Sequence, residues 1–142
     1  MKSNIVLKSE DRNLFGIVVR QETKTGFLNL TDLQNAYNKL QFENGWSEKR
    51  VDHILNENKS NQERIFYLLD SQGSINVDFR TFMEQIDNQY DIIKYLKSIN
   101  KYKMSGRGEN RSVWCDPLIW LLCAYEMHPI IYAKTLFWVH DN

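Results

Sequence analysis

Long cationic side chains gather in one stretch of this chain. Lys94, Lys97, Lys101, Lys103, Arg107 and Arg111 are opposed there only by Glu109, a net charge of +5. Ammonium and guanidinium groups on an exposed, narrow element suit phosphate oxygens, because they neutralise charge and donate hydrogen bonds along a groove. Gly106 and Gly108 lie at the centre of the stretch and predict a flexible tip; Tyr102 is placed to pack beneath it or to stack on a sugar. A second group, Ser47, Lys49 and Arg50, follows Gly45-Trp46 and opens a run of helical periodicity. In the first turn of a helix entering a major groove, such residues reach bases and phosphates. Each group alone matches ordinary surface, since charged tips are solvated and edge lysines block strand pairing. The two together follow the logic of a winged helix-turn-helix.

Residue patterns for catalysis are missing. There is no G-x-x-x-x-G-K-[ST] phosphate loop, and Gly106-x-Gly108 lacks the strand-to-helix setting of a nucleotide fold. His53, His128 and His140 form no H-x-H or H-x-x-x-H pair, and Cys115 and Cys123 lack C-x-x-C spacing, so no metal or cofactor is expected. A Cys115–His128 thiol dyad is outweighed by buried structural cysteine. Asp70 and Asp78 have no pattern that would make them an acid–base pair. The expectation is a non-enzyme.

The elements that position these groups follow from periodicity and punctuation. The alternation of Phe15, Ile17 and Val19 predicts a strand over Phe15–Gln21, turning at Glu22–Gly26 into a returning strand, Phe27–Leu30. Thr31 and Gln34 fit a capping box for a helix carrying Leu33, Ala36, Tyr37 and Leu40. Ser47 would cap a helix over Glu48–Asn58, with Trp46 and Val51 as its hydrophobic staple. Further helices follow: one opened by a Ser60–Glu63 capping box and ended by Gly73, one through Phe79, Phe82, Met83 and Ile86, and one from Tyr90 to about Ile99. Lys101–Met104 and Arg111–Cys115 should pair as a basic hairpin. Asp116-Pro117 supplies a cap and a first-turn proline for a helix to Met127, apolar all round and therefore buried on several sides; Pro129 opens a last helix to about Val139. The expected class is α+β, a compact helical domain with an N-terminal β-hairpin and a basic hairpin wing.

With 142 residues, 42% hydrophobic and 13% aromatic, the chain has material for one domain, expected over residues 15–142 behind an arm or extra strand at 1–14. Neither a transmembrane span nor a signal peptide is visible, which points to the cytoplasm, and the cysteines are expected to be free thiols. The formal charge of zero is a cancellation: residues 1–42 carry +2, 43–91 carry −5, 94–111 carry +5 and 112–142 carry −2. Phe137, Trp138 and Val139 are consecutive on a helix, span about 200°, and cannot all face one core. An exposed aromatic there would suit a second copy of the chain, or a further domain if this is the N-terminal part of a longer protein.

Four segments in order resemble the KilA-N domain of large DNA viruses, bacteriophages and bacteria, which is similar to the fungal APSES DNA-binding domain. They are Gly26-Phe-Leu-Asn-Leu-Thr-Asp-Leu33, Gly45-Trp-Ser-Glu-Lys-Arg-Val51, Gly106 through Ile119, and Pro129 through Val139. The helices over 60–99 are longer than the family's usual spacer, and Cys115 stands where an aliphatic residue is common. The resemblance implies a sequence-preferring, duplex DNA-binding domain of a phage-related, antirepressor-like regulatory protein in a bacterial or phage-infected cell. It points to Lys103, Arg107 and Arg111 on the wing and to Ser47, Lys49 and Arg50 on the helix; Lys101 joins them by charge. The alternative is a module that engages a repressor or another host or phage protein without DNA, motivated by the acidic 43–91 segment and the apolar C-terminus. RNA binding is disfavoured because no aromatic sheet platform for splayed bases is apparent.

Overall fold

In the computed structural model, which describes residues 11–89 and 91–140, Asn29 rather than Thr31 opens the first helix. Its side-chain oxygen accepts a hydrogen bond from Asp32 N at 2.8 Å, satisfying one of the free amides of the first turn. Helix α1 then runs Leu30–Asn44 and stops at Gly45, whose φ of 69° lets its N–H reach Gln41 O. The expected capping box does not form, because both of its side chains serve tertiary contacts. Thr31 Oγ1 accepts from Val113 N, while Gln34 donates to Lys49 O and accepts from Val51 N.

The N-terminal strands also differ from expectation. Strand β1 (Arg12–Leu14) pairs antiparallel with β2 (Ile17–Val19) around Phe15 and Gly16, both with positive φ. The expected turn at Glu22–Gly26 does return the chain, with Glu22 N donating to Phe27 O at 2.8 Å, Asn29 N to Arg20 O at 3.0 Å and an antiparallel Gln21–Leu28 bridge, while β3 (Leu28–Asn29) also joins a second sheet. Residues 1–10 of the expected arm, and Tyr90, lie outside the described residues.

Helix α2 is Val51–Asn56, six residues instead of the expected eleven, with Arg50 at its N-cap position. Ser47 therefore caps nothing, and Trp46 is not a staple: its ring stacks on His128 at 3.7 Å. Helix α3 (Lys59–Ser71) is capped by Asn58, and α4 (Phe79–Gln89) and α5 (Ile92–Ser98) follow. Strands β4 (Tyr102–Ser105) and β5 (Ser112–Cys115) form the expected hairpin, pairing Tyr102 with Cys115 and Ser105 with Ser112. With β3 they make a three-stranded antiparallel sheet in the order β3-β5-β4. Asp116 caps α6 (Pro117–Met127), with Pro117 in the first turn, and Pro129 opens α7 (Pro129–His140).

The fold is α+β, with seven helices and two small antiparallel sheets among the described residues. Trp120 is fully buried at its centre, with its indole N–H donating to Asn29 O at 3.0 Å, amid Leu33, Tyr37, Leu55, Leu69 and Phe82. Burial of each such side chain contributes roughly 1.5–3 kcal/mol. Helix α6 is buried on several sides, as its all-round apolar sequence predicts: Ile119, Trp120, Cys123, Ala124 and Met127 are buried, and Tyr125 is half exposed. Of the closing aromatic run, Trp138 stacks on Trp120 at 5.5 Å and Phe137 is exposed; the side chain of Val139 lies outside the described residues. No helix is long and apolar enough to cross a membrane among the described residues.

Candidate nucleic-acid interface

Three segments distant in sequence meet at one open groove of about 680 Å³. Gln34, Asn38 and Gln41 of α1 form one wall, Arg50 stands at the head of α2, and Met104 and Arg111 come from the hairpin. The juxtaposition is built by named bonds. The Gln34 amide holds both Lys49 O and Val51 N, so the segment leading into α2 lies against α1. Thr31 fixes β5 through Val113 N. Arg20 adds a clamp, donating to both oxygens of buried Asp32 at 3.0 Å and to Ser112 Oγ at 3.2 Å while lying over the Trp114 ring. The start of α1 and the tip-proximal end of β5 are thus tied into one corner.

The expected site residues divide into two sets. Arg50, Arg107 and Arg111 are exposed. Arg50 is bidentate to Asp52 at 3.1 and 3.2 Å, which holds the Asp52 carboxyl below its ordinary range. Arg107 has no side-chain partner among the described residues, and Arg111 meets only the Met104 sulfur at 3.6 Å. Both arginines flank the hairpin tip, which the two glycines shape. Gly106 has a φ of 80°, and a Cβ there would lie 2.3 Å from Asn110 O, so the position admits only glycine. Gly108 has a φ of 58° and starts a 3₁₀ turn, Gly108–Asn110. Both glycines thus define the conformation of the tip.

The lysines of the expected site are occupied elsewhere. Lys49 Nζ donates to Glu126 O at 2.8 Å and Met127 O at 3.0 Å, satisfying the free carbonyls at the end of α6. Lys101 lies 3.5 Å from Asp116, the cap of α6, and is largely buried. Lys103 is bonded to both oxygens of Glu22 at 2.7 Å, which pulls the Glu22 carboxyl below its ordinary range. Ser47 presents its carbonyl to the Tyr37 hydroxyl, and its side chain is exposed. Tyr102 packs beneath the ribbon, buried, with Lys97 5.9 Å from its ring centre; burial pushes its phenol upward. Glu48 and Asp52 also line the groove, so its positive character is concentrated at Arg50, Arg111 and the tip.

The α1 wall escaped the sequence reading. Its signal was present as amides at helical spacing, Gln34, Asn38 and Gln41, but amides on a solvated face carry no charge contrast. Both cysteines are buried with their thiols pushed up by desolvation; Cys115 Sγ contacts Asp116 O at 3.4 Å, and His128 Nδ1 accepts from Ile130 N, so the two do not form a dyad. No cluster of three His, Cys, Asp or Glu suited to a metal ion occurs among the described residues. Comparison with known proteins found no matching family model, no matching curated protein and no matching solved structure.

Proposed function

We propose that the chain is a duplex DNA-binding module of the winged helix-turn-helix kind, a cytoplasmic regulator similar to the KilA-N domain, phage-related and antirepressor-like. The observation that carries this reading is the convergence of Arg50 and Arg111 across one groove, with Arg107 at the tip beyond it. Guanidinium groups lining a groove suit phosphates, and the amide-rich wall of the same groove suits base edges. The protein needs no cofactor for this role.

The corresponding experiment is a fluorescence-anisotropy titration of genomic duplex fragments at low salt, with wild type, Arg50→Gln, Arg111→Gln and a control, Lys59→Gln. Lys59 pairs with Asp87 outside the groove. Either groove substitution should weaken binding while the control leaves it unchanged. Equal binding by all four proteins, or none by wild type, rejects the reading.

One observation favours a protein partner as a second reading. An apolar groove of about 540 Å³ lies between α3 and α6, lined by Tyr67, Leu68, Leu118, Leu121, Leu122 and Tyr125. A repressor protein or a second copy of the chain are the partners this reading takes. Co-elution of a purified repressor with the protein, in the absence of duplex binding, would establish it over the first.

A further inference from the structure

Phe42 is the most exposed large hydrophobic side chain among the described residues, at 90%. Nothing packs on it, and burial against the fold does not explain its presence. It lies one residue beyond Gln41 and one turn beyond Asn38, both of which line the cationic groove. At 100° per residue, Asn38 and Gln41 are about 60° apart and Phe42 lies about 40° beyond Asn38, so the three make one outward edge of α1. By contrast α2, the helix that the sequence marks for base reading, has six residues, and its Arg50 is turned to Asp52. Helix α1 has fifteen residues and a free edge.

We infer that this edge of α1, and not α2, reads bases, and that Asn38, Gln41 and Phe42 select A·T pairs from the major groove. The inference rests on the DNA-binding reading above and specifies its target. The amides have the complementary chemistry: a carboxamide oxygen accepts from adenine N6 while its N–H donates to N7. The Gln41 amide has no partner among the described residues. The Asn38 amide is oriented by one bond, its Oδ1 accepting from Gln34 Nε2 at 2.9 Å, which leaves its own N–H groups and a second oxygen lone pair available. The Phe42 ring supplies apolar contact for the thymine C5-methyl group, the feature that separates thymine from every other base edge in that groove. Guanine is read best by arginine or lysine, and the one lysine of α1, Lys39, is turned to Phe15 O at 2.6 Å. Charge complementarity commits the occupant to a polyanion: Arg50 and Arg111 line the same groove as Asn38 and Gln41, and Arg107 stands exposed at the hairpin tip, opposed in charge by Glu48 and the already paired Asp52.

The test is an anisotropy titration with three duplexes: an A·T-rich one, the same duplex with deoxyuridine in place of thymidine, and a G·C-rich one. Wild type should prefer the A·T-rich duplex about tenfold, the discrimination of one good bidentate contact. Removing the thymine methyl groups should weaken it about threefold, roughly the worth of a buried methyl. Phe42→Ala should erase the uracil effect without changing the salt dependence, since a phenyl ring displaces no counterions. Asn38→Ala with Gln41→Ala should remove the A·T preference. All these residues are outside the core, and circular dichroism would verify that the variants fold. Equal affinity of wild type for the three duplexes overturns the inference while leaving DNA binding intact. Absence of binding to any duplex at low salt overturns both. If Phe42→Ala instead abolishes self-association in sedimentation equilibrium and leaves duplex affinity unchanged, the ring belongs to a contact between copies, and the inference is likewise overturned.

Discussion

Replacing Lys49 by methionine separates a residue that looks like a phosphate contact from one that holds the fold. Methionine keeps the length and apolar stem of the side chain and deletes its ammonium. In the structure that ammonium donates to Glu126 O and Met127 O at 2.8 and 3.0 Å, at the end of α6 where carbonyls have no helical partner. A hydrogen bond from a charged donor contributes about 1.5–3 kcal/mol, and the favourable interaction with the helix C-terminus adds a few tenths. Water reaches part of this half-buried site and recovers some of that loss, so a net destabilisation of about 2 kcal/mol is expected. For a chain of this size that lowers Tm by about 6 °C. Urea unfolding followed by Trp fluorescence gives the free energy directly. Duplex binding by the folded variant should retain the wild-type salt slope. A variant of unchanged stability, with a slope shallower by about 0.9, would refute the argument and return Lys49 to the phosphate contacts.

Three further outcomes are expected. Gly106→Ala forces a Cβ to within 2.3 Å of Asn110 O at a φ of 80°, so it should destabilise the tip by about 1–2 kcal/mol and weaken duplex binding through displaced Arg107 and Arg111, as amide exchange and anisotropy would register. The Glu22 carboxyl is held low chiefly by its hydrogen bond to Lys103; a depressed folded-state value gives stability that is present above the ordinary carboxylate range and lost as pH falls through the folded value. Acid titration of unfolding should therefore show a smaller loss of stability in Lys103→Gln than in wild type. Burial pushes the Cys123 thiol up to about 12 and Cys115 well above its ordinary value, so neither should react with a disulfide reagent at neutral pH until the protein is unfolded in guanidinium.

Elements whose signals are local were legible in the sequence. Phe79, Phe82, Met83 and Ile86 recur on one helical face, Asp116-Pro117 caps and starts α6, and the glycines between Met104 and Arg111 mark a hairpin that forms with the expected partners. Errors arose where tertiary bonds override local preference. Asn29, Thr31 and Asp32 are all able caps, and Asn29 takes the role because Thr31 is drawn to β5 and Asp32 to Arg20. Helix α2 loses its first turn because Gln34 claims the backbone on either side of Arg50. The segment after Gly26 returns on Arg20–Glu22 as its local pattern implies, but its second partner, β5, was not legible, since the sequence of a strand carries no mark of a partner that arrives later in the chain.

The site shows the same division. The cationic stretch was visible as charge, yet Lys101 and Lys103 meet Asp116 and Glu22 only through the fold, so charge density overstated what the groove offers. Arginine at 107 and 111 stayed exposed because the glycine-bounded tip projects past the sheet. The edge of α1 gave no contrast against other polar helix faces. Only its placement beside Arg50 and Arg111 distinguishes it.

The salt dependence of duplex binding tests the DNA-binding reading most directly. On that reading the exposed guanidinium groups of Arg107 and Arg111, together with Arg50 once it exchanges its exposed pair with Asp52 for a phosphate, replace three counterions, so log K should fall against log salt with a slope of about −2.7. Substituting any one of them by glutamine should reduce the slope by about 0.9. A duplex affinity independent of salt, or a slope unaltered when all three are replaced, would contradict the assignment of this groove to DNA.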